Sequence, residues 1–295
     1  MPGYSFFPPH LRLEAVVEAI WDHDVPDIRS APTVVMPVVS PTLCFHYRIP
    51  PAICFQPCPS PLAENWRQPG RYRITGSQSR AARLRPNGPV GGVMVRLRPE
   101  AAARVTGAAM QQFHDAAYSI DDVFRPAEVS LLDERLAEAD GPAARVAAVQ
   151  SFLLRHLRDE DRASIAHHAA LLLRRDPTLS VRRLAVLLDV SERHLSRRFS
   201  TDLGVPPKQF ARIVRIGKVV ASARGPDTDW TDVAAACGFS DQAHMINEFN
   251  VMVGRPPDAF FRVTSLRDRA APGASRAESD FYNTFVCEVS SLHPA

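Results

Sequence analysis

The sequence predicts an α+β N-terminal domain followed by an all-α C-terminal domain made of two similar helical units. Three observations lead to this fold class. The chain has 295 residues, and domains of about 100–200 residues make two domains the natural division. Most of its 26 prolines lie before residue 100, which indicates many loops there. A spaced sequence pattern also occurs twice in the last third of the chain, which indicates a duplicated unit.

Composition and charge exclude several classes of protein. With 45% hydrophobic and 23% charged residues, the chain resembles ordinary globular proteins rather than disordered ones. Its apolar runs are far shorter than a membrane span of about 20 residues, and residues 1–10 lack the pattern of a secretory signal. We therefore expect a soluble cytoplasmic protein without a membrane partner. The net charge of +3 does not by itself indicate a nucleic-acid partner.

The N-terminal domain, which we place at residues 1–158, is predicted from short stretches of apolar periodicity. Residues 10–21 have the spacing of a helix, whereas 33–39, 43–49, 71–75 and 93–97 alternate or run apolar like short strands. Residues 86–89 form a turn, and a helix that begins at Pro99 ends at Gly107. Two further helices are predicted over 128–139 and 142–157, separated by Asp140 and Gly141.

Four potential metal ligands lie close together in this domain, namely Cys44, His46, Cys54 and Cys58. Thiolate and imidazole are the groups that Zn²⁺ prefers. The spacing of these residues is not that of a zinc site, and a cysteine in a strand is often a small buried apolar residue. We therefore interpret them as structural cysteines, keep them as weak metal candidates, and expect no cofactor and no catalytic residues.

The C-terminal repeat has the pattern F-x4-G-x-P-P-x2-F. It runs from Phe199 to Phe210 and again, fifty residues later, from Phe249 to Phe260. A second shared pattern precedes each copy, at 184–191 and 233–240. A spaced pattern repeated in one chain predicts two copies of one supersecondary unit.

Each unit has the pattern of a helix, a tight turn and a second helix. In the first unit, Ser180 is placed to cap a helix whose apolar positions recur at helical spacing from Val181 to Leu188. Asp189 and Gly238 occupy the turns, where a left-handed backbone is needed. Ser191 and Ser240 stand at the start of the second helices, as N-caps or first-turn residues. The buried side of each second helix carries Leu195 and Phe199, or Met245 and Phe249.

The opposite side of each second helix is polar. Outward positions carry Arg193, Ser196, Arg197 and Arg198 in the first unit, and Gln242, Ala243, Ile246, Asn247 and Glu248 in the second. Guanidinium groups pair with guanine in the major groove of DNA, and carboxamides pair with adenine. A charged helix face is often only solvated surface, but the paired helix-turn-helix context favours DNA recognition.

These motifs resemble the tandem helix-turn-helix domain of AraC/XylS-type bacterial transcription regulators. The residues that carry the resemblance are S-x2-H-L-S-R-x-F at 191–199, A-x3-G-F-S-D-Q at 234–242 and the G-x-P-P that closes each unit. The resemblance covers residues 164–263 and implies seven helices, with a long helix over about 207–224 that joins the two units. It implies that both second helices enter adjacent major grooves of double-stranded DNA.

Site residues follow from the same resemblance by position. Base contacts are expected from Arg193, Ser196, Arg197, Gln242, Ala243 and Asn247, and phosphate contacts from Ser191, Arg198, Lys208, Arg215 and Lys218. One feature departs from the family pattern, since no Lys or Arg lies between Asp227 and Phe249 while five acidic residues do. We therefore expect the second unit to attract phosphate weakly.

The N-terminal domain is similar to an uncharacterised sensor domain of some AraC-type regulators in its overall pattern, namely a helix with Trp21, short strands, V-M-V-R-L-R-P at 93–99 and paired helices. Together these resemblances imply an effector-responsive transcription regulator, such as an activator, with RNA polymerase, a small-molecule effector and a second copy of the chain as partners. The alternative is a ligand-handling or repair enzyme located on DNA, with reactive or metal-binding cysteines. Residues 264–295 are interpreted as a flexible tail.

Overall fold

The computed structural model describes residues 3–25, 33–55, 66–159, 164–223 and 228–261. In the N-terminal part the strands are β1 (Gly3–Phe7), β2 (Val17–Val25), β3 (Thr33–Val35), β4 (Thr42–His46), β5 (Ala52–Phe55), β6 (Tyr72–Thr75), β7 (Ala82–Arg85), β8 (Val90–Leu97) and β9 (Ala117–Ser119). The helices there are α1 (Ala103–Thr106), α2 (Pro126–Glu138) and α3 (Gly141–His156).

The strands form two antiparallel sheets. One has six strands in the order β1-β2-β8-β4-β6-β9, and the other has three in the order β3-β7-β5. Helices α2 and α3 cover one face of the larger sheet, where Phe45, Ile74 and Val95 pack against Leu132 and Phe152. The N-terminal domain is therefore α+β, as predicted.

The prediction of a helix over residues 10–21 is wrong. A short 3-10 turn at Leu11–Leu13 is followed by β2, which pairs with β8 from Val17↔Leu97 to Val25↔Val90. Alternate side chains of β2 are buried on opposite faces of the sheet, because Ile20 packs under α2 and α3 while Trp21 packs on the other side. The helical spacing of a few apolar residues was outweighed by pairing with a strand far away in sequence.

The other predicted elements of this domain occur with shifted ends. A strand overlaps each of the four predicted stretches, and the ends of α2 and α3 lie within one or two residues of the predicted helix ends. The helix expected from Pro99 begins only at Ala103, although Gly107 ends it with a left-handed backbone, φ 67°. Strands β1, β5, β7 and β9 were not predicted.

The C-terminal part is helical. Its helices are α4 (Ile165–Arg175), α5 (Val181–Leu187), α6 (Glu192–Leu203), α7 (Pro207–Ser222), α8 (Trp230–Ala236) and α9 (Gln242–Val253). Helical residues occur again from Pro257 to Phe261. The all-α fold class is confirmed. Among the described residues no helix is long and apolar enough to cross a membrane, and the predicted tail, 264–295, lies outside them.

The hydrophobic core of the C-terminal helices includes side chains from the N-terminal domain. Met36, which is fully buried, and Val39 belong to the same cluster as Phe199, Phe210 and Phe249. Arg174 of α4 lies 3.8 Å from carboxylate oxygens of both Glu18 and Glu100. The two parts are therefore packed together through apolar and ionic contacts.

Candidate nucleic-acid interface

Both helical units contain the same tight turn. Asp189 and Gly238 have left-handed backbones, with φ of 52° and 77°. In the first unit the Val190 amide donates to the Ala185 carbonyl at 3.0 Å, and in the second the Phe239 amide donates to the Ala234 carbonyl at 2.9 Å. Both turns therefore have a left-handed residue at the same position and the same closing hydrogen bond.

The second unit has one additional residue after the turn. Ser191 caps α6 by accepting from the His194 amide, as predicted, but Asp241 caps α9 by accepting from the His244 amide. Ser240, which sequence reasoning placed at the start of this helix, instead donates its hydroxyl to the Asp241 carboxylate at 3.0 Å. The turn repeats after 49 residues and the second helix after 50, so position 241 corresponds to position 191.

Helix α6 exposes the predicted cations of the first unit. Leu195 and Phe199 are fully buried, so the side of α6 that carries Arg193 and Arg197 faces outward, and both arginines are exposed. Within the part of the chain that the structure describes, neither guanidinium has a hydrogen-bond or ion-pair partner. Ser196 is half-buried beside them. This face can therefore offer two free guanidinium groups and a hydroxyl to a ligand.

Helix α9 exposes the corresponding face of the second unit. Met245 and Phe249 are fully buried, and Gln242, Ala243 and Asn247 are exposed. The Gln242 side-chain oxygen accepts from the Thr231 hydroxyl at 3.1 Å, which holds the carboxamide at the edge of α8. The face offers carboxamides where α6 offers guanidinium groups.

The predicted phosphate contacts have different surroundings. Lys208 is exposed at the start of α7, and Arg198 donates to Asp202 one turn further along α6 at 3.1 Å. Lys218 donates to the Arg175 carbonyl at 3.2 Å. All three ammonium or guanidinium groups remain partly accessible to an anion.

Arg215 is engaged inside the protein in a way that the sequence did not reveal. Its Nη1 donates to the carbonyl of Gly238 at 3.3 Å, and its guanidinium lies 4.8 Å from the centre of the Phe239 ring. Burial lowers the pKa of this guanidinium. Because Gly238 and Phe239 form the turn of the second unit, Arg215 ties that turn to the connecting helix α7.

Acidic residues of the second unit are also engaged. Asp229 caps α8, and Asp241 caps α9, where the hydrogen bond from the His244 backbone lowers the pKa of the carboxyl. Glu248 accepts from Arg212 Nε at 2.8 Å and from Arg212 Nη2 at 3.3 Å. Sequence reasoning missed this ion pair because the partners are 36 residues apart. It reduces the negative field of α9 that composition alone suggests.

The weak metal candidates do not form a cluster in the described part of the chain. Cys44 and His46 lie on β4, whereas Cys54 lies on β5 of the other sheet, and Cys58 lies outside the described residues. In the described segments, no group of three or more His, Cys, Asp or Glu side chains is arranged to hold a metal ion. Burial raises the pKa of the Cys44 thiol.

Comparison with known proteins gives matches to the C-terminal units. Residues 184–262 match the family described as "Helix-turn-helix domain". The chain is 26% identical over 165 residues to the HTH-type transcriptional regulator CdhR of Pseudomonas aeruginosa, and the alignment covers 50% of this chain and 49% of CdhR. The chain thus spans about half the length of this relative.

Two solved structures are similar at low identity. ToxT from Vibrio cholerae gives a TM-score of 0.45 at 7% identity, covering 82% of this chain and 97% of that one. The C-terminal domain of AraT, a response regulator from Geobacillus stearothermophilus, gives 0.32 at 19% identity, covering 35% and 88%.

The residues that match the family model include both turns, the connecting helix and both exposed helix faces. The repeated pattern, the matching turn geometry and the family match all concern the same segment. This segment of the chain is an AraC-type helix-turn-helix DNA-binding domain.

Proposed function

We propose that this protein is a sequence-specific transcription regulator that reads two adjacent major grooves of double-stranded DNA with α6 and α9. The observation that carries the proposal is the pair of equivalent helices whose outward faces hold exposed recognition side chains. The match of residues 184–262 to a helix-turn-helix family supports it.

The two faces favour different bases. Arg193 and Arg197 have the donors to pair with guanine, with Ser196 beside them, while Gln242 and Asn247 suit adenine. Ala243 offers a methyl group that can contact thymine. Because the free guanidinium groups are on α6, we assign the larger part of the binding energy to the first unit.

Phosphate contacts set affinity and register rather than base preference. We assign these contacts to Arg198, Lys208 and Lys218, and to the hydroxyl of Ser191, which keeps its proton to donate while its oxygen caps α6. Arg215 is held against the turn of the second unit, so we give it a positioning role, in addition to any phosphate contact.

The proposal includes an effector that acts on the N-terminal domain, contact with RNA polymerase at the promoter and assembly into a homodimer. The resemblance to AraC/XylS-type regulators supports these partners. Met36 and Val39 join the core of the DNA-binding helices to the N-terminal domain, which gives an effector bound there a route to those helices.

A DNA-located enzyme with reactive cysteines is less favoured. A nucleophilic cysteine needs a thiolate, and thiolates occur where neighbouring charges lower the pKa. Cys44 and Cys54 are buried, and burial raises the pKa of the Cys44 thiol. These two thiols have the environment of structural residues.

The test uses the full-length chain and a duplex selected by it from a random DNA library. Arg197→Ala should weaken binding to the selected duplex by about 1–3 kcal/mol and relax preference at one base pair. Fluorescence anisotropy with the selected duplex and a scrambled duplex measures both effects. Arg135→Ala, which removes an exposed arginine from α2, is the matched control.

Equal weakening on both duplexes would show that Arg197 contacts phosphate and does not read a base. If the wild-type chain selects no sequence from the library, the proposed function is wrong.

A further inference from the structure

A cluster of buried polar side chains lies on the face of the six-stranded sheet opposite α2 and α3. His23, His46 and Arg73 are 5%, 1% and 5% exposed. Strand register brings them together, because His23 and His46 both lie opposite Gly92 on the two sides of β8, and Arg73 lies opposite Cys44, two residues before His46. Three strands from distant parts of the sequence thus supply one cluster.

Five polar atoms of this cluster have no hydrogen-bond partner of ordinary geometry in the described structure, although the backbone of Gly91 lies near the His46 ring and that of Gly92 near the His23 ring. They are Nδ1 of His23, both ring nitrogens of His46, and Nε and Nη1 of Arg73. A buried polar group without a partner costs about 1–3 kcal/mol, and more when it is charged. Natural proteins rarely leave several such atoms together, so the cluster needs a role that offsets this cost.

The opposite face of the same sheet carries a buried charged side chain, Asp22, that does have hydrogen-bond partners. Asp22, which is 2% exposed, accepts from Arg145 Nε at 2.8 Å and from Arg145 Nη2 at 3.1 Å, and the Tyr47 hydroxyl also donates to it. Asp22 therefore has both a counter-charge and hydrogen bonds, whereas Nε and Nη1 of Arg73 have no hydrogen-bond partner among the described residues.

The cluster carries positive charge from Arg73. Burial, reinforced by the charge of Arg73, lowers the pKa of His23 to about 4 and the pKa of His46 well below its ordinary value. Both imidazoles are therefore neutral near pH 7. Each can donate one hydrogen bond, so the cluster offers a cation and neutral donors to an anion.

The surroundings of the cluster are apolar and aromatic. The Tyr4 ring stacks on His23 with centroids 5.6 Å apart, and the His46 ring meets His23 edge-on at 5.9 Å. Trp21 and Met94 pack with Cys44 on the same face. An anion that fits here would carry an apolar body, because a fully hydrated ion would gain nothing from these neighbours.

We infer that this cluster is the effector site and that it takes a small organic carboxylate with an apolar body, bound at Arg73, His23 and His46. The Arg73 guanidinium supplies the charge for the carboxylate, the buried Arg96 guanidinium lies further along the same face against the Trp21 ring, and the neutral imidazoles donate to carboxylate oxygens without adding charge. A metal ion is disfavoured, since Arg73 would repel it. The inference rests on the proposed function only in treating the N-terminal domain as the effector domain.

The cluster is linked to both DNA-binding units by the chain that follows β6. Arg73 is on β6, and Ser77, four residues later, lies against Gly204 at the end of α6, where an added Cβ would come within 2.8 Å of its hydroxyl oxygen. The amide of Ala81 donates to the Met252 carbonyl in the last turn of α9 at 2.7 Å. A shift of β6 on ligand binding would therefore reach the ends of both recognition helices.

The experiment measures thermal unfolding of the full chain without DNA, with phenylacetate, acetate, propanoate and inorganic phosphate as probes and the amides of the three carboxylates as neutral controls. Near saturation, phenylacetate should raise Tm by about 3 °C or more, while phenylacetamide should not. Arg73→Met should abolish the shift, and Arg135→Met on exposed α2 should retain it. Arg73→Lys keeps the charge but changes the donor geometry, so it should weaken apparent affinity by about tenfold or more.

The inference is overturned if no carboxylate in the series raises Tm more than its amide, or if the shift persists in both Arg73 variants. A shift with inorganic phosphate and none with carboxylates would also contradict it, because the ligand class would be different. Arg73→Lys decides the question if Arg73→Met does not fold. Since no DNA is present, failure here leaves the result with Arg197→Ala unaffected.

Discussion

At the scale of single residues, helical spacing predicted which side chains of α6 lie outward, but it did not predict the partners of the polar residues. Arg197 is exposed as expected from the helical period, because Leu195 and Phe199 fix which side of α6 is buried. The contact of Arg215 with Gly238 and the pair of Arg212 with Glu248 join residues that are more than twenty positions apart. Such contacts depend on helix packing, which no local pattern specifies.

The buried histidines predict how stability depends on pH. The pKa of His23 is lowered to about 4 in the folded chain from 6.5, so the unfolded chain binds the proton more readily. The stability that neutral His23 contributes is complete above pH 6.5 and is lost as the pH falls toward 4. At pH 5 the loss is on the order of 2 kcal/mol, and His46 adds to it in the same direction.

Chemical denaturation at pH 7.5 and pH 5 measures this loss. His23→Gln removes the titrating group and should reduce the difference between the two pH values. His168→Gln, at an exposed position of α4, should leave it unchanged. The carboxylates Asp22 and Asp24 oppose the shift and Arg73 reinforces it. An unchanged pH dependence in His23→Gln would show that His23 has the same pKa in the folded and the unfolded chain.

At the scale of elements, the repeat predicted both helix-turn-helix units because each has to bury the same apolar positions. The two left-handed turns at Asp189 and Gly238 follow from the same comparison. The additional residue Ser240 was missed, although the pattern at 184–191 recurs after 49 residues and the pattern that begins at Phe199 recurs after 50. In the N-terminal domain the strands pair across long separations, and local spacing therefore predicted a helix where β2 forms.

Glu248 of α9 provides a test of how close the second unit comes to DNA. Glu248→Gln removes a negative charge and releases Arg212, so binding to any duplex should become tighter at low salt. The free energy of unfolding should fall by about 1 kcal/mol, because a partly buried bidentate pair is lost. Anisotropy across a salt series and chemical denaturation measure the two effects, with exposed Glu134→Gln on α2 as control.

The salt dependence of DNA affinity distinguishes the contributions of the two units. Arg198→Ala should reduce the slope of log affinity against log salt by about 0.9 for one lost phosphate contact, whereas Gln242→Ala should leave it unchanged. If Glu248→Gln binds no more tightly than wild type at low salt, α9 does not lie near the phosphates and the two-groove proposal fails.

At the scale of the whole molecule, the contacts between the N-terminal domain and the DNA-binding helices are the feature that sequence patterns did not indicate. Met36 lies more than 120 residues before α4, yet it is fully buried in the same cluster as Phe199 and Phe210. Together with the Ala81 to Met252 hydrogen bond, this contact makes the DNA-binding helices depend on the N-terminal domain for part of their core.

Met36→Ala should therefore destabilise the DNA-binding helices, although Met36 is far from them in sequence. Removing a buried methionine side chain costs about 2–5 kcal/mol, and the cavity would border the helices that carry Phe199 and Phe210. Hydrogen exchange followed by mass spectrometry should show faster exchange in α6 and α7, because openings of a packed unit become more frequent as its core weakens.

Met94→Ala is the matched control, since Met94 is also buried but packs with Trp21 and Cys44 on the six-stranded sheet. It should accelerate exchange in β2 and β8 first. Equal effects of both variants on α6 would show that the two domains open only as one cooperative unit, and an effect of neither would show that Met36 contributes nothing to the stability of the DNA-binding helices.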